Sequence, residues 1–184
     1  MIRIAKPEDA ADILAIYGPV VRDTVISFEI EPPTAAEMAE RVASTLRTYP
    51  WLVWEEGGRA VGYVYAGRHA ARAAYRWSAE VTAYVAPEVR RRGLGRTLYG
   101  ALFDILRRQG FHAVFAGVTL PNDASVALHE AVGMRPVGVY PETGFKFGAW
   151  RDVGWWGMTL DAGAAPGGEP IPFSALADPL RGVA

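Results

Sequence analysis

The segment Tyr84-Val85-Ala86-Pro87-Glu88-Val89-Arg90-Arg91-Arg92-Gly93-Leu94-Gly95-Arg96-Thr97-Leu98-Tyr99 constrains the fold more than any other stretch of the chain. It reads as an alternating strand that meets a proline, passes through a basic, glycine-rich turn and opens an amphipathic helix. Pro87 has no N–H to give to a continuing ladder, so strand pairing ends there. Gly93 and Gly95 let the backbone turn tightly and aim several N–H groups one way, and the helix start adds positive dipole character. Arg90, Arg91, Arg92 and Arg96 put formal charge at the same place. A pocket for phosphate oxygens follows.

The spacing excludes two common phosphate ligands. A Walker loop requires a Lys directly after its second glycine, and none is present; a dinucleotide fingerprint requires a third Gly or Ala where Leu98 stands. The positive charge is also local. Formal net charge is −1, so no overall basic excess points to a nucleic-acid partner. At 51% hydrophobic and 21% charged the 184-residue chain is globular, yet it has no apolar run long enough to cross a membrane. The N-terminus lacks the apolar core of a signal peptide, and the absence of cysteine removes disulfides, thiolate zinc sites and a cysteine nucleophile. These features suit a cytoplasmic protein. His69, His112 and His129 match no metal-ligand spacing, so no metal is expected; His69 and His112 read as surface residues.

Along the chain, Ile2 to Ile4 reads as a strand, and Pro7-Glu8-Asp9 as the entry to a helix carrying Ile13, Leu14, Ile16, Tyr17 and Val20 on one face. Thr34 with Glu37 matches a capping box for a second helix to about Arg47. Trp51–Glu55 and Arg59–Ala66 flank a Gly57-Gly58 turn, and Trp77–Val85 alternates as a further strand. A helix over Leu94–Gln109, a buried-type strand over Phe111–Leu120 and a short helix opened at Asn122 and closed by Gly133 come next. Met134–Tyr140 and Val153–Leu160 are the last expected strands. Residues 1–161 therefore form one domain, and 162–184 a Gly/Ala/Pro-rich tail expected to be irregular and partly disordered.

Arg90-x-x-Gly93-x-Gly95, placed between a fourth strand and a third helix, resembles the pyrophosphate loop of the GNAT N-acetyltransferase superfamily. The segments 80–85, 120–125, 128–133 and 144–154 are similar to those of the phosphinothricin and methionine sulfoximine N-acetyltransferases, in the same order. The resemblance spans nearly the whole chain to about Leu160. It implies an α/β fold of the GNAT type, a central mixed twisted sheet of about seven strands with about four helices, splayed between strands four and five. It also implies acetyl-CoA as co-substrate, a small amino-acid-like amine as acceptor, and a homodimer. Ala83, Tyr84 and Val85 would pair with the pantetheine arm, the loop from Arg90 through Arg91, Arg92, Gly93 and Leu94 to Gly95 and Arg96 would hold the pyrophosphate, and Asn122 and Ser125 would lie on the cofactor's far side. Asn122 reads equally as a helix N-cap, and one residue can serve both roles. Met134 stands where these relatives usually carry an aromatic residue, a change of core packing.

Acetyl transfer to an amine requires a base to take the ammonium proton, then stabilisation of the oxyanion and of the leaving thiolate. Glu80 matches the family's proposed base, and its aromatic neighbourhood (Tyr75, Trp77, Tyr84) would raise its pKa. His129 lies four residues after Ser125 on the same helix face and stands where many GNAT enzymes carry an acidic tyrosine; it reads as a general acid or as a structural hydrogen-bonding residue. Arg72, Tyr75, Phe28 and Lys146 match acceptor-binding positions, Lys146 with a possible reach into a neighbouring subunit. A protein N-terminus or another amine as acceptor, and a catalytically inactive CoA-binding sensor, stand as the alternative functions.

Overall fold

The computed structural model describes residues 1–163 and 165–182. Seven strands form one sheet: β1 (Ile2–Ile4), β2 (Trp51–Glu56), β3 (Arg59–Arg68), β4 (Ser78–Val85), β5 (Ala113–Thr119), β6 (Arg135–Lys146) and β7 (Ala149–Thr159). Its spatial order is β1-β2-β3-β4-β5-β7-β6, antiparallel throughout except for β4 against β5. Four helices accompany it: α1 (Ala10–Asp23), α2 (Ala35–Thr48), α3 (Leu94–Gln109) and α4 (Asp123–Ala131).

Side chains on a strand alternate faces, and in β2 and β3 both faces are buried. Leu52 and Val64 enter a core with Leu98, Leu102, Ile105 and Leu106 of α3. Their neighbours Trp51, Val53 and Tyr63 enter a second core with Ile13, Val21, Met38 and Val42 of α1 and α2. The sheet is thus sandwiched between α3 on one side and α1–α2 on the other. Helix α2 starts as its sequence demands: Thr34 Oγ1 accepts from the Glu37 N–H at 3.2 Å, and Glu37 accepts from the Thr34 N–H at 2.7 Å. Helix α3 stops at Gly110, whose left-handed φ of +88° favours glycine.

Strands β4 and β5 pair only at Ser78–Ala113, Ala79–Val114 and Glu80–Phe115. Beyond that point β5 keeps its register with β7 as far as Thr119–Val153 while β4 stays with β3 as far as Val85–Gly62. The sheet therefore opens into the expected splay, with Glu80 at its apex.

The β6–β7 hairpin departs from the sequence reading. Strand β6 does not end at Tyr140 but runs to Lys146, and β7 begins at Ala149. Pro141 and Glu142 lie where the ladder shifts register between Tyr140 and Gly144, an irregularity that an edge strand tolerates. The described part of 162–184 is irregular apart from a 3₁₀ turn at Phe173–Ala175, but it packs against the domain: Phe173 is buried, Gln109 Nε2 donates to Ile171 O at 2.7 Å, and Arg108 donates to the carbonyls of Ala177, Asp178 and Pro179.

Candidate active site

From Val81 to Val85, β4 pairs only with β3, so the backbone of Ala83, Tyr84 and Val85 borders the splay on its β5 side. The chain then makes a 3₁₀ turn over Pro87–Val89 and reaches α3 through Arg91 and Gly93, at φ of +61° and +83°. The left-handed Arg91 is mildly strained, and it lies where the backbone turns its amides into the helix start. The first α3 hydrogen bond runs from Thr97 N to Gly93 O at 3.1 Å, and Gly93 has no side chain to cap Leu94, Gly95 or Arg96. Their N–H groups are left for an incoming anion. A Cβ on Gly95 would sit 3.1 Å from Leu128 Cδ2, so the glycine also brings α3 close to α4.

The arginines of this loop differ in availability. Arg91 and Arg96 are exposed. Arg92, by contrast, makes a two-pronged bond to Glu56 at 2.8 and 3.1 Å, and that guanidinium holds the Glu56 carboxyl below its usual pKa. The Arg92 side chain is thereby directed to β2, leaving its backbone to the loop. Arg90 Nε lies 3.4 Å from Val85 O.

At the apex, Glu80 faces Gly67 across the β3–β4 ladder, and nothing lies within 4 Å of where a Gly67 Cβ would stand. Directly opposed residues share a face of the sheet, so the glycine leaves open space beside the carboxylate. Burial raises the Glu80 pKa, and His69 pulls it down by charge and hydrogen bonding. His69 is not the surface residue expected. Its Nδ1 lies 3.2 Å from Glu80 Oε1, and its ring stacks on Phe115 with centroids 4.5 Å apart. Tyr75 joins the cluster edge-on to His69, centroids 5.9 Å apart; Arg72 is exposed at the start of the 3₁₀ turn that carries Tyr75.

Across the splay, Asn122 Oδ1 accepts from the Ser125 N–H at 3.2 Å and so caps α4. Both residues line a cleft between β4 and β5, together with Tyr99 and His129. His129 is buried, and both of its nitrogens are engaged: Nδ1 lies 2.7 Å from Ser125 O, and Nε2 lies 3.0 Å from the Tyr99 hydroxyl. A carbonyl only accepts, so Nδ1 carries the proton and Nε2 accepts from Tyr99. Burial lowers the His129 pKa, with the Ser125 bond opposing, so the ring is neutral at neutral pH. This geometry suits positioning of the Tyr99 hydroxyl better than proton donation by the imidazole itself. Tyr99 escaped the sequence reading because it falls on the core stripe of α3, where an aromatic residue reads as packing.

The chain that carries this open β4 edge matches known proteins along nearly its full length. A model of the acetyltransferase (GNAT) domain matches residues 2–155. The phosphinothricin N-acetyltransferase of Streptomyces viridochromogenes is 40% identical over 165 residues, covering 90% of each chain. The chain belongs to the GNAT acetyltransferases. The L-methionine sulfoximine/L-methionine sulfone acetyltransferase of Salmonella typhimurium is 36% identical, over 90% of this chain and 97% of its own. A crystal structure of a phosphinothricin acetyltransferase from Sinorhizobium meliloti, in complex with AcCoA, superposes with a TM-score of 0.87 at 33% identity, covering 95% of this chain and 97% of that one.

Two of the expected acceptor residues of this acetyltransferase meet at the β6–β7 hairpin. Phe28 lies over Gly144, whose added Cβ would come within 2.1 Å of the Phe28 ring, so the glycine lets the ring approach the β6 backbone this closely. Lys146 is not open to a ligand within this chain: it is 4% exposed, and its Nζ donates to the carbonyls of Val21, Ser27 and Glu29 at 2.7, 2.8 and 2.9 Å. An ammonium has three N–H donors, and all three are satisfied. Lys146 thus ties the loop that carries Phe28 and has no donor left for a substrate carboxylate.

Proposed function

We propose that this acetyltransferase moves an acetyl group from acetyl-CoA to the primary amine of a small amino-acid-like acceptor of the phosphinothricin, methionine sulfoximine or methionine sulfone class, by direct transfer with both substrates bound. The observation that carries the reading is the β4 backbone left open from Val81 to Val85, ending at the uncapped N-terminus of α3 and starting at a half-buried carboxylate. Acetyl-CoA supplies an acetyl thioester and a phosphate-bearing handle. The backbone of Ala83 to Val85 would hold its amide-rich arm as an added strand, and the amides from Arg91 to Arg96, with the Arg91 and Arg96 side chains, its pyrophosphate. Glu80 takes the proton from the acceptor ammonium, so that the amine lone pair becomes available at the apex of the splay. On the far wall of the cleft the Tyr99 hydroxyl gives its one proton to His129 Nε2, and the departing CoA thiolate takes its proton from solvent. Tyr75, which packs on His69, and the exposed Arg72 that precedes its turn would take the acceptor side chain and carboxylate. Such a reaction belongs to the cytoplasm, where acetyl-CoA is available.

The test is an assay of CoA thiol release with acetyl-CoA and phosphinothricin, methionine sulfoximine or methionine sulfone as acceptors, beside a peptide amine. Acceptor-dependent turnover with the small amino acids supports the reading. Turnover with the peptide alone moves the acceptor to a protein N-terminus, and tight acetyl-CoA binding with no turnover makes the chain a sensor module.

The reading includes a homodimer. Edge strand β6 and its hairpin partner expose Val137, Val139, Tyr140, Phe145, Phe147 and Trp150, each more than half accessible. Exposed apolar side chains concentrated on an edge hairpin call for a cover, and a second copy supplies it. Sedimentation of the purified chain is expected to give a dimer, and Trp150→Glu a monomer; a monomeric wild type at micromolar concentration refutes it.

A further inference from the structure

His69 stands outside every motif that the sequence offered, yet it touches the carboxylate on which the proposed chemistry depends. It follows the last residue of β3, and its placement is built. Arg68 donates from Nε to Ala70 O at 2.9 Å and from its other arm to Ala71 O, closing the turn around His69. Phe115 of β5 lies flat against one ring face, and Trp155 of β7 and Tyr75 approach edge-on with centroids at 6.0 and 5.9 Å. With the ring so held, Nδ1 meets Glu80 Oε1 at 3.2 Å.

We propose that His69 is the positioning residue for Glu80: its Nδ1–H fixes Oε1 and leaves Oε2 to take the acceptor's proton in the open space beside Gly67. This rests on the reading of Glu80 as the base. A carboxylate only accepts hydrogen bonds, so Nδ1 carries the proton. A single bonded oxygen restricts rotation of the carboxylate, and a near-attack geometry depends on that restriction. The bond also favours the charged form of Glu80, against the burial that disfavours it. Few other titratable groups face the pair. Tyr65 on β3 interacts with Glu80 through its charge, Tyr75 faces His69, Arg68 is engaged with its own turn, and β5 and β7 contribute only Phe115 and Trp155.

The experiment compares wild type, His69→Phe and His69→Gln. Phenylalanine keeps the stack on Phe115 and removes the donor; glutamine keeps an N–H donor and removes the ionisation. His69→Phe is expected to lower kcat about tenfold, as loss of one hydrogen bond to a charged group implies. It is also expected to move the acidic limb of kcat/KM for the acceptor to higher pH, because Glu80 then loses a partner of its charged form. The KM for acetyl-CoA and the unfolding temperature stay at wild-type values, and His69→Gln regains most of kcat. Carbon-detected NMR of the Glu80 carboxyl in the free protein gives a readout apart from turnover: its titration midpoint rises in His69→Phe. Superimposed Glu80 titrations in wild type and His69→Phe overturn the proposal even if kcat falls, since the ring then acts through packing alone. A shifted Glu80 titration with unchanged rates in both His69→Phe and Glu80→Gln overturns it differently, by removing Glu80 itself from the chemistry.

Discussion

Glu80→Gln is expected to lower kcat by about 10²- to 10³-fold, the usual size of a lost general base. Glutamine preserves the size of the side chain and can still accept from His69 Nδ1 at the present 3.2 Å, so the surroundings have no reason to move. What disappears is the group that takes the ammonium proton. Burial already lifts this carboxyl above the usual glutamate value, which makes it a better match for an amine's proton near neutrality, and His69 keeps the rise moderate. The acidic limb of the rate profile should vanish with the substitution, leaving a rate that climbs with pH as free amine accumulates. The KM for acetyl-CoA should stay unchanged, because the proposed cofactor contacts lie further along β4 and at the start of α3. Steady-state thiol release across the pH range decides it. An unchanged kcat removes the general-base assignment.

The cofactor half of the site was legible because it is local. Pro87, the glycines at 93 and 95 and the helix that follows are continuous in sequence, and each acts through its own backbone. The surroundings of Glu80 were legible only in part, because they are made by register. His69 reaches Glu80 only because Gly67 pairs with Glu80 in the antiparallel β3–β4 ladder, a relation that spacing along the chain does not display. In the sequence, Arg68-His69-Ala70-Ala71 looks like a polar turn. The end of β6 was hidden for a different reason. Pro141 and Gly144 are strand breakers by composition, but an edge strand has a free side on which a missing N–H and a shifted register cost little. The C-terminal stretch is irregular as its composition implies, but its docking was not legible. Its Gly, Ala and Pro content announces irregular backbone, while buried Phe173 and the bonds from Arg108 and Gln109 dock it.

Charge alone is a poor guide to a binding role, and the hydrogen-bond inventory corrects it. Arg92 and Lys146 both fall in segments whose likeness to relatives points to ligands. One is paired to Glu56, and the other has every donor satisfied by backbone. His129 follows the same logic, since a ring whose two nitrogens are occupied and whose pKa is depressed is poorly placed to give up a proton. The groups that keep an unengaged donor or acceptor are Glu80, Arg91, Arg96 and the β4 backbone, and the proposed reaction assigns the first to the acceptor and the others to the cofactor.

Lys146→Met is expected to destabilise the protein by about 2–4 kcal/mol, because a buried cation with three acceptors cannot be removed without leaving those acceptors unpaired. For a domain of this size the unfolding temperature should fall by roughly 5–15 °C. Methionine matches the length and flexibility of the lysine stem, so the loss is in hydrogen bonding and charge more than in volume. The carbonyls of Val21, Ser27 and Glu29 mark the end of α1 and the loop beyond it, and that loop seats Phe28 over Gly144. Once released, the loop should hold Phe28 less firmly, so KM for the acceptor should rise while KM for acetyl-CoA stays put. Thermal unfolding monitored beside both Michaelis constants separates the two possible roles. A wild-type unfolding temperature combined with lost affinity for the acceptor's carboxylate would return Lys146 to the substrate. A lower unfolding temperature with a smaller, parallel rise in acceptor KM identifies it as the tie that holds the α1–α2 loop against the β6–β7 hairpin.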